Sequence, residues 1–273
     1  MTLNPDLRRN QSREELAGNM DTGLLKVLAL VFMLIDHIGA KLMPGVTEMR
    51  ILGRIALPLY AWCLVVGNVK TRRPFDYALR LFLIAVISQP IYMMTMDHPW
   101  NYFSILFLLF IATLALQGIR QAKWGSQVWA PLLCYGLIYV LDVHLGISID
   151  YGWKGLTFIL ILYLARKSRG GLAAAFIAFC LFWGSTSATV NDIFGLKLGF
   201  LNMRGIGDML RPVFKLQALA LLALPLILIS TKSGLKLPKW LGYAIYPLHL
   251  ILILLLRIAL KGLTPDHFLQ WFR

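Results

Sequence analysis

The sequence is poor in charged residues. Asp, Glu, Lys and Arg make up 15% of the 273 residues, whereas hydrophobic residues make up 58% and the mean hydropathy is +0.68. Soluble domains carry roughly 25% charged residues, so the composition argues against an ordinary soluble enzyme. Cysteine is also scarce, with three residues and no CxxC spacing. A disulfide framework is therefore not indicated, and we expect no metal site.

What the sequence has instead is a series of apolar blocks. Most are roughly 18–22 residues long, enough for a helix to cross about 30 Å of hydrocarbon. We predict an all-α, polytopic membrane helical bundle: a polar cytoplasmic segment over 1–22, a single membrane domain over 23–262 and a short tail over 263–273. The predicted spans, about nine in number, lie at 23–44, 49–69, 76–96, 102–119, 126–146, 152–168, 171–189, 214–231 and 241–262.

The net charge of +14 follows the connections between these blocks. Lys and Arg concentrate in the connections that face the cytoplasm when the N-terminus is inside, and this bias predicts an N-in, C-out protein of the bacterial inner membrane. Because no basic run lies in a soluble fold, we expect membrane lipid and no nucleic acid as a partner. The longest connection, 190–213, is predicted to be a re-entrant or interfacial helix.

A few polar side chains lie inside the predicted spans. Each ionised group there costs at least about 2.5–3.5 kcal/mol on insertion scales, so it requires a partner or a function. Asp36 and His37 lie in the outer third of the first span, and Arg54 lies one turn inside the second. Pro58 cannot donate a hydrogen bond to the Arg54 carbonyl, which loosens that turn. We expect Asp36 to pair with Arg54, which leaves His37 to titrate.

Other spans contribute polar residues at a similar depth. In the N-in arrangement Asn101 and Tyr151 lie level with Asp36, His37 and Arg54, so we expect these five to converge on one cavity. Four further positions share a helix face with a site candidate or stand inside a span. The additional candidates are Arg50, Gln89, Tyr246 and His249.

The remaining charged and histidine residues have simple structural explanations. Lys26, Arg80 and Arg257 stand near span ends, where long side chains reach the interface. We interpret His98 and His144 as ordinary loop residues.

Four segments together resemble the TraX family, the F-pilin acetylase-like membrane proteins. They are LLKVLALVFMLIDHIG at 24–39, GRIALPLYAWCLVVG at 53–67, YGWKGLTFILILY at 151–163 and LGYAIYPLHL at 241–250. The resemblance implies transfer of an acetyl group from acetyl-CoA to an amine, for the named member the N-terminal amine of a pilin subunit. The family pattern falls on Asp36, His37, Arg54, Pro58, Tyr151, Gly152, Tyr246 and His249.

The polar residues suit this chemistry. Thioester aminolysis needs a base for the amine proton and donors for the oxyanion, and His37, with an unperturbed pKa of about 6.5, is the natural base. Asp36 and Arg54 would hold the geometry, or Arg54 would meet the oxyanion. Tyr246, His249 and Asn101 are candidate donors, and the substrate-binding candidates are Asn101, Tyr151, Gln89 and Arg50.

Two basic clusters are candidates for the CoA phosphates. They contain Arg72 with Arg73, and Arg166 with Lys167. Such clusters also act as topology determinants. Acetyl-CoA is the only cofactor that we expect.

Two other functions stay open at this point. A secondary transporter would use Asp36 as the coupling acid, although no inverted repeat is visible in the sequence. A non-enzymatic assembly partner of an envelope or conjugation complex would use Asp36 and Arg54 as a structural pair.

Overall fold

The structure is a computed structural model that describes residues 16–193 and 195–262. Nearly all of its regular structure is helical. The helices are α1 (Thr22–Lys41), α2 (Thr47–Gly53), α3 (Ala56–Lys70), α4 (Pro74–Met96), α5 (Ile105–Gln121), α6 (Ser126–Tyr139), α7 (Gly152–Ala165), α8 (Arg169–Gly184), α9 (Ile206–Leu210), α10 (Leu224–Leu228) and α11 (Lys239–Lys261).

Short irregular helices and strands complete the fold. A π-helical turn at Val140–His144 extends α6, and 3₁₀ turns lie at Gly199–Asn202 and Ala218–Ala223. Strands β1 (Tyr102–Phe103) and β2 (Ser148–Ile149) pair in parallel, with Tyr102 opposite Ser148. Strands β3 (Asp192–Ile193) and β4 (Leu196–Lys197) pair antiparallel.

The helices fit the predicted membrane class. Within residues 16–193 and 195–262, five helical segments are long and apolar enough to cross a bilayer: Thr22–Lys41, Thr47–Lys70, Pro74–Met96, Ser126–His144 and Trp240–Lys261. Four apolar helical segments at predicted spans are shorter: Ile105–Gln121, Gly152–Ala165, Arg169–Gly184 and Ala218–Leu228. The count of nine spans and the N-in orientation therefore stay predictions, as does the single membrane domain. The predicted tail 263–273 and most of the segment 1–22 lie outside the described residues.

The connection 190–213 is not one helix. It contains the β3–β4 hairpin, a 3₁₀ turn and the five-residue helix α9. Gly195 and Gly205 both adopt positive φ, at 78° and 80°. Because these backbone conformations are left-handed, they interrupt any continuous right-handed helix.

By its contacts the chain divides into two compact units. Unit 1 comprises Met1–Val66 and Leu164–Leu235, and unit 2 comprises Gly67–Tyr163 and Lys236–Arg273. Each unit contains part of the predicted set of functional residues, and each is described by itself below.

In unit 1, a network of side chains fixes the start of α1. Asp21 caps the helix by accepting from the Leu24 amide at 3.3 Å, and it also accepts from the Ser233 amide at 2.6 Å. Partial burial acts to raise the pKa of Asp21, but these hydrogen bonds outweigh it and the pKa is lowered. The fully buried Trp62 donates its indole N–H to the Asn19 carbonyl at 2.7 Å.

The break between α2 and α3 has the cause predicted from the sequence. Gly53 ends α2 and Ala56 begins α3, so the helix is interrupted at Arg54 and Ile55. Pro58 has no amide hydrogen for the Arg54 carbonyl, and the i→i−4 ladder opens there. The predicted loosening of this turn is confirmed.

In unit 2, α4 is bounded by residues that suit helix ends. Pro74 occupies its first position, where no amide donor is needed. The helix ends at Asp97, which adopts a left-handed conformation with φ 51°. Helix α4 packs against α5 and α11, and α5 packs against α6.

Candidate functional site

A buried carboxylate lies at the centre of the site in unit 1. Asp36 continues the buried stripe of α1 that runs through Ala29 and Met33, and the residue is only 8% exposed. Its two oxygens have separate partners: Oδ2 lies 2.8 Å from Arg50 Nη1, and Oδ1 lies 2.9 Å from Arg54 Nη2. The predicted pair of Asp36 with Arg54 is therefore present, and Arg50 completes a triad.

Helix α2 brings both arginines to this carboxylate. Arg50 and Arg54 are four residues apart, which places them on one side of the helix end. Gly53 faces Asp36 so closely that a Cβ there would collide with the carboxylate. Gly39 likewise faces the Cβ of Met49. Two glycines thus allow the close approach of α1 and α2 that the triad requires.

Further hydrogen bonds hold the guanidinium groups. Arg54 donates from Nε to the Arg50 carbonyl at 3.2 Å and from Nη1 to Gln217 Oε1 at 3.3 Å. Arg50 also donates to the Asp36 carbonyl at 3.2 Å. The arginines are therefore oriented before any substrate arrives.

Gln217 was missed in the sequence analysis. Gln217 is 9% exposed, and its backbone N–H donates to Ser187 Oγ at 3.1 Å. Thr189 and Lys215 form a β-bridge beside it, so the two ends of the long connection meet there. A glutamine inside the predicted span 214–231 was the available signal, because polar residues in spans need partners.

His37 follows Asp36 on α1 and is half-buried. Consecutive residues point about 100° apart on a helix. The Cα–Cβ bond of His37 therefore points in a different direction from that of Asp36.

In unit 2, aromatic rings enclose a histidine. The His98 ring stacks on Tyr92 with centroids 5.3 Å apart and on Tyr102 with centroids 4.2 Å apart. Tyr102 directs its hydroxyl toward Asp150 Oδ1 at 3.4 Å. As interpreted from the sequence, His98 lies in the connection that follows α4, and its ring is packed between those of Tyr92 and Tyr102.

Gln89 fixes the position of this aromatic stack. Its side-chain amide donates to the Tyr102 carbonyl at 2.8 Å and accepts from the Ser104 amide at 3.0 Å. The Asn101 side chain donates to the Gly146 carbonyl at 2.7 Å. This bond joins the connection that precedes β1 to the connection that precedes β2. Both predicted substrate-binding amides therefore make structural hydrogen bonds.

Tyr151 has an unusual backbone. Its φ is 64°, a left-handed conformation that bulky residues rarely adopt. Three side chains lie close enough to Tyr92 to interact with it electrostatically. They are Asp150, Tyr246 and Tyr151. Strain of this kind is found at functional sites more often than elsewhere.

The last helix contributes Tyr246 and His249. Their rings meet edge to face with centroids 5.1 Å apart, and both residues are buried. His249 Nδ1 lies 3.2 Å from the Ile245 carbonyl. Because a carbonyl only accepts, Nδ1 is the donor in this contact.

Arg257 is buried, contrary to the expectation that it reaches the membrane interface. Its Nη2 lies 2.8 and 3.1 Å from the two oxygens of Asp97, and its Nη1 donates to the carbonyls of Thr95 at 2.7 Å and Met94 at 3.2 Å. Its side chain is 6% exposed. Arg257 therefore donates to backbone carbonyls and to Asp97 at the end of α4, and its side chain does not extend to the membrane interface.

The basic candidates for the CoA phosphates lie in different units. Arg72 and Arg73 are exposed in the turn before α4, and Arg73 lies 3.6 Å from Asp76. Arg166 and Lys167 follow α7 in unit 1, where the Arg166 carbonyl accepts from the Ala17 amide at 2.7 Å. A role of these residues in CoA binding stays a prediction.

Unit 1 thus contains Asp36, His37, Arg50 and Arg54. Unit 2 contains Gln89, Asn101, Tyr151, Tyr246 and His249. The convergence of both sets on one cavity stays a prediction. Among the described residues, no group of three or more His, Cys, Asp or Glu is placed to hold a metal ion.

Comparison with known proteins identifies two similar sequences and a matching family. An uncharacterized protein, RP591, of Rickettsia prowazekii is 27% identical over 150 residues, which cover 55% of this chain and 57% of the relative. A probable fimbrial assembly protein, FimC of serogroup H1, of Dichelobacter nodosus is 32% identical over 162 residues, covering 53% of this chain and 64% of the relative. The matched regions thus span less than two thirds of either relative.

No solved structure matches the chain. The family model described as TraX protein, however, matches residues 21–257, which is most of the sequence. That range includes the triad, His37, the aromatic stack and the ion pair of Arg257 with Asp97. The chain belongs to the TraX family.

Proposed function

We propose that the protein is a membrane-embedded acetyltransferase that moves an acetyl group from acetyl-CoA to an amine. The observation that carries the proposal is the buried Asp36 carboxylate, held between Arg50 and Arg54 directly beside His37. Asp36 is buried, the Arg54 side chain is 10% exposed and that of Arg50 is 32% exposed. Removing charge from water in this way is costly unless the groups pair. Unit 1 pairs these charges, and His37 directly follows Asp36 in the chain.

His37 acts as the base in this reaction. It first takes a proton from the acceptor ammonium, and the nitrogen of the resulting neutral amine then attacks the thioester carbonyl carbon. The new C–N bond forms, the C–S bond breaks, and the sulfur leaves as the CoA thiolate, which then takes a proton. An α-amine has a pKa of about 7.7–8.0, so a histidine needs only a small driving force to deprotonate it.

The arginines stabilise the negative charge that develops on the thioester carbonyl oxygen. Arg54 is already oriented by Asp36, by the Arg50 carbonyl and by Gln217. Donors that are fixed in advance need no reorganisation when the oxyanion forms. Asp36 keeps both guanidinium groups in place and is therefore a positioning residue.

The acceptor that we favour is the N-terminus of a pilin or other peptide. The Dichelobacter nodosus relative is named a probable fimbrial assembly protein, and this name supports a pilus-related acceptor. We place the protein in the bacterial cytoplasmic membrane, with the N-terminus inside. For unit 2 we propose substrate contacts by Tyr151, Tyr246 and His249.

Purified protein in nanodiscs tests the proposal. We expect saturable acetyl-CoA binding by both wild type and His37→Ala, and release of free CoA on addition of a peptide amine by wild type only. Loss of a general base lowers the rate roughly 10²–10⁴-fold. His144→Ala is the matched control, because it removes the same side chain from an exposed position.

The name of the same relative also supports a second function, that of a non-enzymatic assembly partner. In that case Asp36 and Arg54 form a structural pair only. A His37→Ala variant leaves the triad intact and would preserve assembly, whereas an acetyltransferase would lose CoA release. Absence of acetyl-CoA binding by wild type would overturn the enzyme proposal, and proton-driven solute uptake into vesicles would indicate a transporter.

A further inference from the structure

The connection between α8 and the 3₁₀ turn at Ala218–Ala223 contains an ordered segment at 195–213, here called the connector segment. Its backbone is held by its own hydrogen bonds, including Leu201 to Leu198 at 3.0 Å and Gly207 to Met203 at 2.8 Å. Arg211 Nε donates to the Leu201 carbonyl at 2.9 Å, and Leu201 is buried. The segment is therefore folded and is not a loose loop.

Large apolar side chains nevertheless point away from the connector segment. Met209 is 81% exposed, Leu196 is 71% exposed, and Met203 and Ile206 are each 55% exposed. Ile206 and Met209 are three residues apart and share one side of α9. A folded segment that leaves several large apolar side chains uncovered in one short stretch indicates a surface that meets another apolar phase.

Basic side chains accompany these apolar ones. Lys197, Arg204 and Arg211 stand against a single acid, Asp208, and all four are exposed. Arg211 lies 3.5 Å from Asp208, so Lys197 and Arg204 carry the excess charge. Exposed apolar residues together with excess Lys and Arg are characteristic of segments that lie on anionic lipid surfaces.

We propose that the connector segment is an interfacial anchor that binds the surface of anionic phospholipids. Met203, Ile206 and Met209 enter the boundary between headgroups and acyl chains, while Lys197 and Arg204 meet lipid phosphates. A lipid surface is favoured over a protein partner because the segment joins two apolar helical stretches, Arg169–Gly184 and Ala218–Leu228. It is therefore tethered at both ends to parts of the chain with membrane composition. The proposal is independent of acetyl transfer.

Fluorescence quenching tests the proposal on the intact protein. A Met209→Cys variant is labelled with an environment-sensitive dye and placed in nanodiscs of phosphatidylcholine, with or without phosphatidylglycerol. The native cysteines are buried, and unmodified protein gives the labelling background. Lys232→Cys, at an exposed position in a polar stretch, is the matched control.

With phosphatidylglycerol present, we expect spin-labelled acyl chains to quench the Met209 probe at least about twofold more than the Lys232 probe. Quenching falls in neutral nanodiscs and in a Lys197→Gln, Arg204→Gln background. A Met203→Cys probe is expected to behave like the Met209 probe, which guards against a local effect of one label. Equal quenching of the Met209 and Lys232 probes, or the same Met209 quenching in neutral and anionic nanodiscs, would overturn the proposal.

Discussion

Each oxygen of Asp36 has its own arginine, and this pairing makes the residue difficult to replace. An asparagine keeps the shape but removes the negative charge from between Arg50 and Arg54. Removing one member of a buried ionic group leaves the others uncompensated, which costs more than the intact group contributes. The triad is therefore as much a constraint on the fold of unit 1 as a candidate for chemistry.

We predict that Gln217→Ala weakens the triad through Arg54. The variant removes one acceptor from Nη1 while the bonds to Asp36 and to the Arg50 carbonyl remain. The expected loss of unfolding free energy is about 1–2 kcal/mol, measured by thermal unfolding in detergent.

Gln217→Glu is the companion variant for this prediction. It keeps an acceptor at the same place and is expected to retain most of the stability, because the new carboxylate faces a guanidinium group. If Gln217→Ala and Gln217→Glu both unfolded at the same temperature as wild type, Gln217 would not position Arg54.

Individual residues were predictable where one segment contained the whole signal. Asp36 and Arg54 are ionisable residues in neighbouring spans, and that alone indicated their pairing. Arg257 was misjudged because its position near a span end has an ordinary explanation, and its partner Asp97 stands 160 residues away. The stacking of His98 depends on the pairing of β1 with β2, for which two-residue strands leave no periodic pattern.

At the scale of elements, we predict that the contact of α1 with α2 depends on Gly53. A methyl group there would collide with Asp36, so Gly53→Ala is expected to displace the carboxylate and cost roughly 1–3 kcal/mol of unfolding free energy. Thermal unfolding in nanodiscs measures the loss.

The control for Gly53 is Gly136→Ala in α6, where nothing lies within 4 Å of the added carbon. Alanine there is expected to be neutral or to stabilise the helix, since it has a higher helix propensity than glycine. Equal effects of the two substitutions would show that α1 and α2 tolerate wider separation than the structure implies.

The ion pair of Arg257 with Asp97 joins α11 to the end of α4. We predict that Arg257→Gln costs about 3–5 kcal/mol, because Asp97 and two backbone carbonyls lose their donor. Arg80→Gln, which changes an exposed arginine, is expected to cost less than about 1 kcal/mol.

A double-mutant cycle separates the ion pair from the backbone contacts. Asp97→Asn combined with Arg257→Gln is expected to cost less than the sum of the single variants, since neither charge is then left alone. Strict additivity in thermal unfolding would mean that the two residues do not interact in solution.

Elements were predictable where hydrophobicity determined them. The apolar blocks located most of the helices, and Pro58 located the break between α2 and α3. The connection 190–213 was predicted as a re-entrant or interfacial helix and is not one continuous helix, because Gly195 and Gly205 take left-handed conformations. Sequence alone does not state which conformation a glycine adopts.

At the scale of the whole molecule, we predict the orientation from the distribution of Lys and Arg. With the N-terminus inside, the connection at Lys123 faces the cytoplasm and that at His144 faces outward. In intact spheroplasts, a membrane-impermeant maleimide is expected to label His144→Cys and not Lys123→Cys. Both positions are exposed, and detergent-solubilised samples of both should label equally. The reverse pattern would place the N-terminus outside.

The sequence also predicted the class of the whole molecule, because apolar composition alone identifies a membrane protein. It did not predict the two compact units, which are interleaved along the chain. Each unit combines an early stretch with a late one, and contacts over such separations leave no local pattern in the sequence.

The 160 residues between Asp97 and Arg257 also have a consequence for biosynthesis. At ribosomal rates of about 5–20 residues per second, the arginine emerges roughly 8–32 seconds after the aspartate. During that interval α4 has been synthesised, but Arg257, whose positive charge pairs with Asp97 at the C-terminal end of that helix, has not. Translation that stalled before the last helix would therefore leave an unfinished helix end, which is a feature that membrane quality control could detect.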